Sequence, residues 1–161
     1  PNAAHRALAR LEECGKLSAI ITQNIDGLHQ AAGSHNVLEL HGSVLSNTCM
    51  ECGRRYTLEQ ILETSGIPRC SACGGVIKPD VVLYEESLSE SVLREACAEL
   101  AAADTLIVGG TSLTVYPAAG LIHYFAGSNL ILINKQPTPA DELATLVLHD
   151  SIGTVLAEAV G

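Results

Sequence analysis

Two groups of residues in this 161-residue chain have the types and spacing to do chemistry. The first is a set of four cysteines. Cys49 and Cys52 form one Cys-x-x-Cys pair, Cys70 and Cys73 a second, and residues 53–69 lie between them. Two such knuckles at this separation match a four-thiolate zinc site. Gly53 and Gly74 follow the knuckles and let the backbone turn tightly around an ion. The alternatives are an iron–sulfur cluster and a thioredoxin-type redox pair, but a redox motif needs only one pair, at a helix N-terminus. With four protein thiolates a tetrahedral ion keeps no open position, so this zinc is structural rather than a Lewis acid. The segment is too small to bury a core of its own, so the metal must hold it together.

The second group sits where apolar runs stop. The run Ser18–Thr22 ends at Gln23 and Asn24, with Asp26 and Gly27 just beyond, and the run Val37–Leu40 ends at His41 and Gly42. In open α/β sheets ligands bind outside the carboxyl ends of the strands, which makes Gln23, Asn24, Asp26 and His41 candidates for one shared ligand. Each has a plainer reading: Asp-Gly is a common turn, asparagine caps helices, and a lone histidine after a strand is often structural. Three further apolar runs end similarly. Thr105–Val108 leads into Gly109-Gly110-Thr111-Ser112, Leu130–Ile133 ends at Asn134, and Thr145–Leu148 is followed by Asp150-Ser151-Ile152. Glycines between a strand and a helix let a backbone approach a phosphate or ribose. The sequence here is neither GxGxxG nor a Walker loop, so on its own it is a weak signal. Glu85 and Glu86 could pair as acid and base, but read more naturally as a solvated strand end.

The elements that would position these groups alternate strand, polar tip and helix. Ala3–Lys16 has helical periodicity with Asn2 as cap and Gly15 as stop, and Cys14 falls on its apolar face. Arg54–Tyr56 reads as a short strand and Leu58–Glu63 as a short helix. Val81–Tyr84 is a strand by composition, and Pro79 confines its entry to a sheet edge or a turn. Further helices are expected from Ser87 or Ser89 to about Ala103, from Thr114 or Pro117 to Phe125, and over Ile152–Val160. The expected fold is therefore α/β: a Rossmann-like parallel sheet with helices on both faces, formed by residues 1–43 and 80–161, plus a small four-cysteine zinc-ribbon insertion at 44–79. The three later strand tips are expected on the same edge as Gln23–Asp26, which suits an extended dinucleotide.

Composition narrows the function classes. Hydrophobic residues make up 47% and charged residues 17% of the chain, enough for a core. The net charge of −9 argues against a nucleic-acid partner, since little basic surface is left to neutralise phosphates. No apolar run reaches the roughly 18 residues that would span a bilayer. The charged amphipathic start is no signal peptide, and unpaired cysteines at metal spacing point to a reducing compartment, here the cytoplasm.

Seven segments occur together and in order: PNAAHRALARLE, TQNIDGLHQAAG, LELHGS, the two Cys-x-x-Cys pairs, KPDVVLYEE, GGTSLTVYPAAGL and LILINK. In this the chain resembles the sirtuins, NAD-dependent protein-lysine deacylases, over nearly its whole length. The resemblance implies a role for each candidate. His41 matches the general base on the nicotinamide ribose, and Gln23, Asn24 and Asp26 match the set that binds that ribose and the nicotinamide. Gly110, Thr111 and Ser112 match contacts to the phosphates and the adenosine ribose, Asn134 another adenosine-ribose contact, and Asp150, Ser151 and Ile152 the loop beside adenine. Val81, Val82, Leu83 and Tyr84 match the strand along which an acyl-lysine peptide lies in extended form. NAD would be a consumed cosubstrate and Zn²⁺ a structural ion. The acyl oxygen attacks the ribose C1′, nicotinamide leaves, and a base activates a ribose hydroxyl so that the acyl group moves onto the sugar. Imidazole is a side chain suited to that proton transfer. The products are lysine, nicotinamide and O-acyl-ADP-ribose.

Two departures from the family pattern stand out. The family usually has Phe-Gly-Glu where this chain has Tyr84-Glu85-Glu86, and the lost glycine changes the lip where a peptide would enter. The glycine-rich segment GAGxSxxSGIPDFR and the family's first strand are not in this sequence, so a truncated sirtuin with impaired NAD binding is the expectation. Two other functions fit the same residues: protein ADP-ribosyl transfer by the same chemistry, and a non-catalytic zinc-ribbon interaction module. His41 with Asn24 and Asp26 favours catalysis over the last.

Overall fold

The computed structural model describes residues 1–161. In chain order the elements are α1 (Ala3–Glu13), β1 (Ile20–Thr22), α2 (Leu28–Ala31), β2 (Val37–Glu39), β3 (Gly42–Cys49), β4 (Arg55–Thr57), α3 (Leu58–Leu62), β5 (Ile77–Val81), α4 (Glu90–Ala102), β6 (Thr105–Gly109), β7 (Asn129–Ile133), β8 (Leu146–Leu148) and α5 (Ile152–Val160). They fall into two compact units. One comprises Pro1–Ile21, Leu28–Leu38 and Ser89–Gly161, and the other Thr22–Gly27 and Glu39–Leu88.

The first unit is built on apolar packing. Strands β6, β7 and β8 form a parallel sheet in that order, with Ile107 opposite Ile131 and Ile131 opposite Leu146. Alternate residues of β7 serve the two faces. Leu130 and Leu132 join Ala140 on one, while Ile133 packs with Ala4, Ala7 and Leu156 on the other. Helices α1 and α5 thus cover one face through a stripe of small and branched residues. Leu132 and Ile133 are each only 1% exposed, so each contributes the roughly 1.5–3 kcal/mol of a fully buried aliphatic side chain.

Helix α1 starts where a reciprocal cap satisfies its free amides. The Asn2 side chain accepts from the His5 amide at 3.2 Å, and the His5 ring accepts from the Asn2 amide at 3.2 Å. The helix ends earlier than expected, with Cys14 as its C-cap and Gly15 in the left-handed region at φ 66°. Cys14 is exposed rather than buried, because a cap residue lies past the end of the apolar stripe. The segment after Pro117 is a 3₁₀ helix, Ala118–Tyr124, rather than an α-helix.

The second unit has an antiparallel sheet in the order β4-β3-β5. Its long central strand, β3, was not apparent in the sequence. Ser43, Ser46, Asn47 and Thr48 give it a polar composition, and a register irregularity between Ser43 and Asn47 breaks its alternation. β5 is an edge strand, so Pro79 within it costs no internal ladder bond. The strand expected over Val81–Tyr84 stops at Val81; Leu83, Tyr84, Glu85 and Glu86 form an exposed turn closed by the Glu86 amide on the Leu83 carbonyl at 3.1 Å. Strands β1 and β2 pair as a sheet of their own, joined at the flanks by Ile20 N–H to the Asn36 carbonyl and Leu40 N–H to the Thr22 carbonyl, both 2.9 Å.

Candidate functional site

The cysteines form a metal centre by geometry as well as by spacing. Strand β3 delivers Cys49, and the tight turns after each knuckle close through Gly53 N–H on the Cys49 carbonyl (3.0 Å) and Gly74 N–H on the Cys70 carbonyl (2.8 Å). Both glycines take the left-handed conformation, with φ of 70° and 75°. The four Sγ atoms lie within 4.8 Å of one another, with Cys49–Cys73 at 3.5 Å and Cys52–Cys70 at 3.6 Å. Thiolates at ~2.3 Å from a tetrahedral zinc are about 3.8 Å apart, so the set fits that ion with little adjustment. Cys49 and Cys70 are buried against Ile77, with Tyr56 and Ile61 beside them, while Cys52 and Cys73 face solvent. The thiols differ in acidity. The Tyr56 hydroxyl, outweighing burial, brings Cys70 down to about 6. Cys73 has an amide from Gly75 that favours its thiolate, yet the adjoining Cys52 and Cys49 sulfurs and burial drive it up to about 12. A dication at the centre removes this competition by accepting all four as thiolates.

The same unit brings His41 to Gln23. The His41 Nδ1 lies 2.9 Å from the Gln23 carbonyl oxygen. A carbonyl can only accept, so Nδ1 carries the proton and the neutral ring leaves its lone pair on Nε2. The His41 carbonyl in turn accepts from the Val82 amide at 2.9 Å, which ties the end of β5 to the histidine's backbone. Gly42 makes this approach possible. Its φ is 73°, and a Cβ there would stand 2.0 Å from the Asp80 carbonyl oxygen. Asn24 and Asp26 are exposed and Gln23 is half-buried. The Asn24 amide is held by the Thr22 hydroxyl at 3.1 Å, which fixes the exit from β1.

Gly27, also left-handed at φ 68°, lies directly under Leu45, whose Cδ1 would be 2.6 Å from an added Cβ. Glu86 is a structural residue, since its carboxylate accepts from the Leu83 amide at 2.8 Å and lies 3.7 Å from the Lys78 ammonium. Glu85, where the family usually has glycine, sits in the glycine-favouring region at φ 70°.

In the first unit, the parallel register of β6, β7 and β8 sets their carboxyl ends side by side, with Gly109 opposite Ile133 and Ile133 opposite Leu148. Gly110–Ser112, Asn134 and Asp150–Ile152 therefore share one sheet edge. Gly110 has φ 66° and donates to the Ile133 carbonyl at 3.1 Å; a Cβ there would meet nothing within 4 Å. The Thr111 hydroxyl accepts from the Leu113 amide at 3.2 Å, and the Ser112 and Thr114 hydroxyls pair at 2.7 Å. The Asn134 side chain donates to the Gln136 carbonyl at 2.9 Å. Ile152 packs straight onto Gly109, and its Cδ1 would have to shift to admit a Cβ at that glycine. The signal missed in the sequence is Thr22, whose hydroxyl shapes the exit from β1 and which reads as an ordinary strand residue.

Comparison with known proteins agrees with this architecture. The Sir2 family pattern matches residues 1–117. An NAD-dependent protein deacetylase of Clostridium perfringens is 63% identical, over 99% of this chain and 66% of its own length. The chain thus spans just under two thirds of that relative. Among solved structures, a Sir2 complex with p53 peptide and NAD⁺ superposes with TM-score 0.90 at 43% identity, over 99% of this chain and 68% of that one. Sir2Af2 bound to a myristoylated histone peptide gives TM-score 0.92 at 44% identity, over 99% of this chain and 70% of that one. With the four-thiolate centre, the parallel sheet and the family pattern in agreement, the chain belongs to the Sir2 family.

Proposed function

We propose that a protein carrying this sequence is an NAD-dependent protein-lysine deacylase that releases nicotinamide and O-acyl-ADP-ribose. The observation that carries the reading is the His41 ring, anchored through Nδ1 on the Gln23 carbonyl so that Nε2 is free to accept a proton. When bound, NAD supplies a ribose C1′ with nicotinamide as its leaving group. His41 takes a proton from the ribose hydroxyl through Nε2. Gln23, Asn24 and Asp26 hold the nicotinamide ribose. Gly110, Thr111 and Ser112 hold the phosphates and the adenosine ribose, where Gly110 leaves open space beside the strand end. Asn134 contacts the same ribose, and Asp150, Ser151 and Ile152 line the adenine. The acyl-lysine peptide lies extended along Val81, Val82, Leu83 and Tyr84, the last two of which are exposed. In functional terms, residues 1–43 and 80–161 are the dinucleotide-binding part and 44–79 the zinc part. A reducing compartment such as the cytoplasm keeps the thiols available to zinc.

The test is incubation of the zinc-loaded protein with NAD and an acetyl-lysine peptide, followed by mass spectrometry. O-acetyl-ADP-ribose forms with the parent and is lost in His41→Ala. Equal product from His41→Ala overturns the role given to that residue, and release of lysine without NAD overturns the reaction.

A further inference from the structure

Beside the zinc centre lies a polar side chain that is not a ligand. Tyr56 lies in β4, opposite Asn47 of β3, and its ring packs on the buried Cys49, Cys70 and Ile77. Its hydroxyl is 3.0 Å from the Cys70 sulfur. The same oxygen accepts from the Ser71 amide at 3.0 Å and lies 3.3 Å from the Ser71 hydroxyl. A phenol has a single proton. With one lone pair engaged by the Ser71 amide, that proton is directed to the sulfur, the closer of its two acceptors. The amide and the sulfur belong to consecutive residues of the second knuckle, so one hydroxyl clamps the turn and the ligand together. Neither Cys52 nor Cys73 is buried in this way; both face solvent.

We propose that Tyr56 is a positioning residue of the zinc site, whose hydroxyl donates to the Cys70 thiolate, draws charge off that sulfur and fixes the second knuckle around the metal. Four thiolates leave a zinc centre with a net charge of −2, and a neutral donor placed on one sulfur disperses that charge without competing for the ion. Outer partners of this kind are commonly worth about 10- to 100-fold in metal affinity. The inference rests on the zinc assignment, and its test separates the two.

The experiment compares the parent with Tyr56→Phe, which keeps the ring and removes only the hydroxyl. Both are loaded with Co²⁺, and the sulfur-to-metal charge-transfer band is recorded at saturating metal. A hydrogen bond lowers the energy of the sulfur lone pair, so its loss moves the band to longer wavelength. Zinc affinity in competition with a chromogenic chelator is expected to fall about 10-fold. An unmoved band with unchanged affinity overturns the proposal while leaving the zinc site intact. Failure of the parent to take up cobalt overturns both. A second measurement needs no variant: in the ¹¹³Cd-loaded parent, the Tyr56 hydroxyl proton should exchange slowly and show coupling to cadmium through the Cys70 sulfur. A fast-exchanging, uncoupled proton contradicts the proposal even if Tyr56→Phe does not fold.

Discussion

The two units of this chain reach order by different physics. In the first, Leu132, Ile133 and Leu156 are at most 3% exposed and the sheet is sealed by helices, so folding free energy comes from apolar burial. In the second, the buried cluster around the knuckles has only Cys49, Cys70 and Ile77 at its centre, and two of those are thiol ligands. There a metal replaces a core. The difference teaches that candidate site residues are positioned by whichever device each unit has: parallel register sets out Gly110–Ser112, Asn134 and Asp150–Ile152, whereas glycine geometry and backbone hydrogen bonds hold His41.

The sharpest way to break this contrast is to remove the metal. Zinc in small structural sites binds with roughly 10–16 kcal/mol, so chelation is expected to abolish amide protection at Gly53, Cys70, Gly74 and Ile77 while Leu132 and Ile133 stay protected. Hydrogen exchange with mass spectrometry reads both regions at once; uniform loss across the chain would deny that the units are stabilised separately. Leu132→Ala is the converse perturbation. It should cost about 2–5 kcal/mol in thermal or urea unfolding and leave zinc affinity unaltered.

Gly42→Ala acts between these extremes. A Cβ 2.0 Å from the Asp80 carbonyl, on a residue at φ 73°, forces β3 and β5 apart next to His41. A loss of at least about 2 kcal/mol is expected, together with loss of deacylation. Retained activity would show that His41 does not depend on this close approach.

Smaller effects refine the picture. Glu85→Gly should stabilise the chain by about 1 kcal/mol, because Glu85 is held at φ 70°, a conformation that penalises a Cβ. Denaturant midpoints check it, and a destabilised variant would mean that the side chain offsets its own strain. The smallest effect concerns acid. Glu12 has its pKa lowered, first by the Asn36 amide and then, against desolvation, by the His35 amide, at 2.7 and 3.0 Å. A depressed carboxyl stabilises the fold above its unfolded pKa and loses that contribution as pH falls through the folded value. Glu12→Gln should therefore lower the melting temperature slightly near neutral pH and hardly at all at strongly acidic pH. A penalty that persists in acid would point to packing instead.

How much was legible in the sequence follows from the same contrast. The parallel strands read clearly because Leu106–Val108 and Leu130–Ile133 are uninterrupted apolar runs, the pattern of strands covered on both faces. Cys49, Cys52, Cys70 and Cys73 read clearly because ligand spacing is local. Strand β3 did not, since a strand beside a metal site needs little apolar alternation. The end of β5 at Val81 was hidden for a related reason: Val82-Leu83-Tyr84 has strand composition, but the turn held by Glu86 on the Leu83 amide and the left-handed Glu85 takes the chain away from the sheet. The exposure of Cys14 was not legible, because helical periodicity does not reveal where a cap falls.

The proposed reaction depends on His41 acting as a base through a free Nε2. Nitrogen-15 NMR of the neutral imidazole in the zinc-loaded protein tests it directly. In the neutral ring, the Gln23 carbonyl at 2.9 Å from Nδ1 requires the proton on Nδ1, which leaves Nε2 unprotonated. The opposite tautomer, with the proton on Nε2, would leave the ring unable to accept a proton at that atom and would contradict the mechanism proposed for this chain.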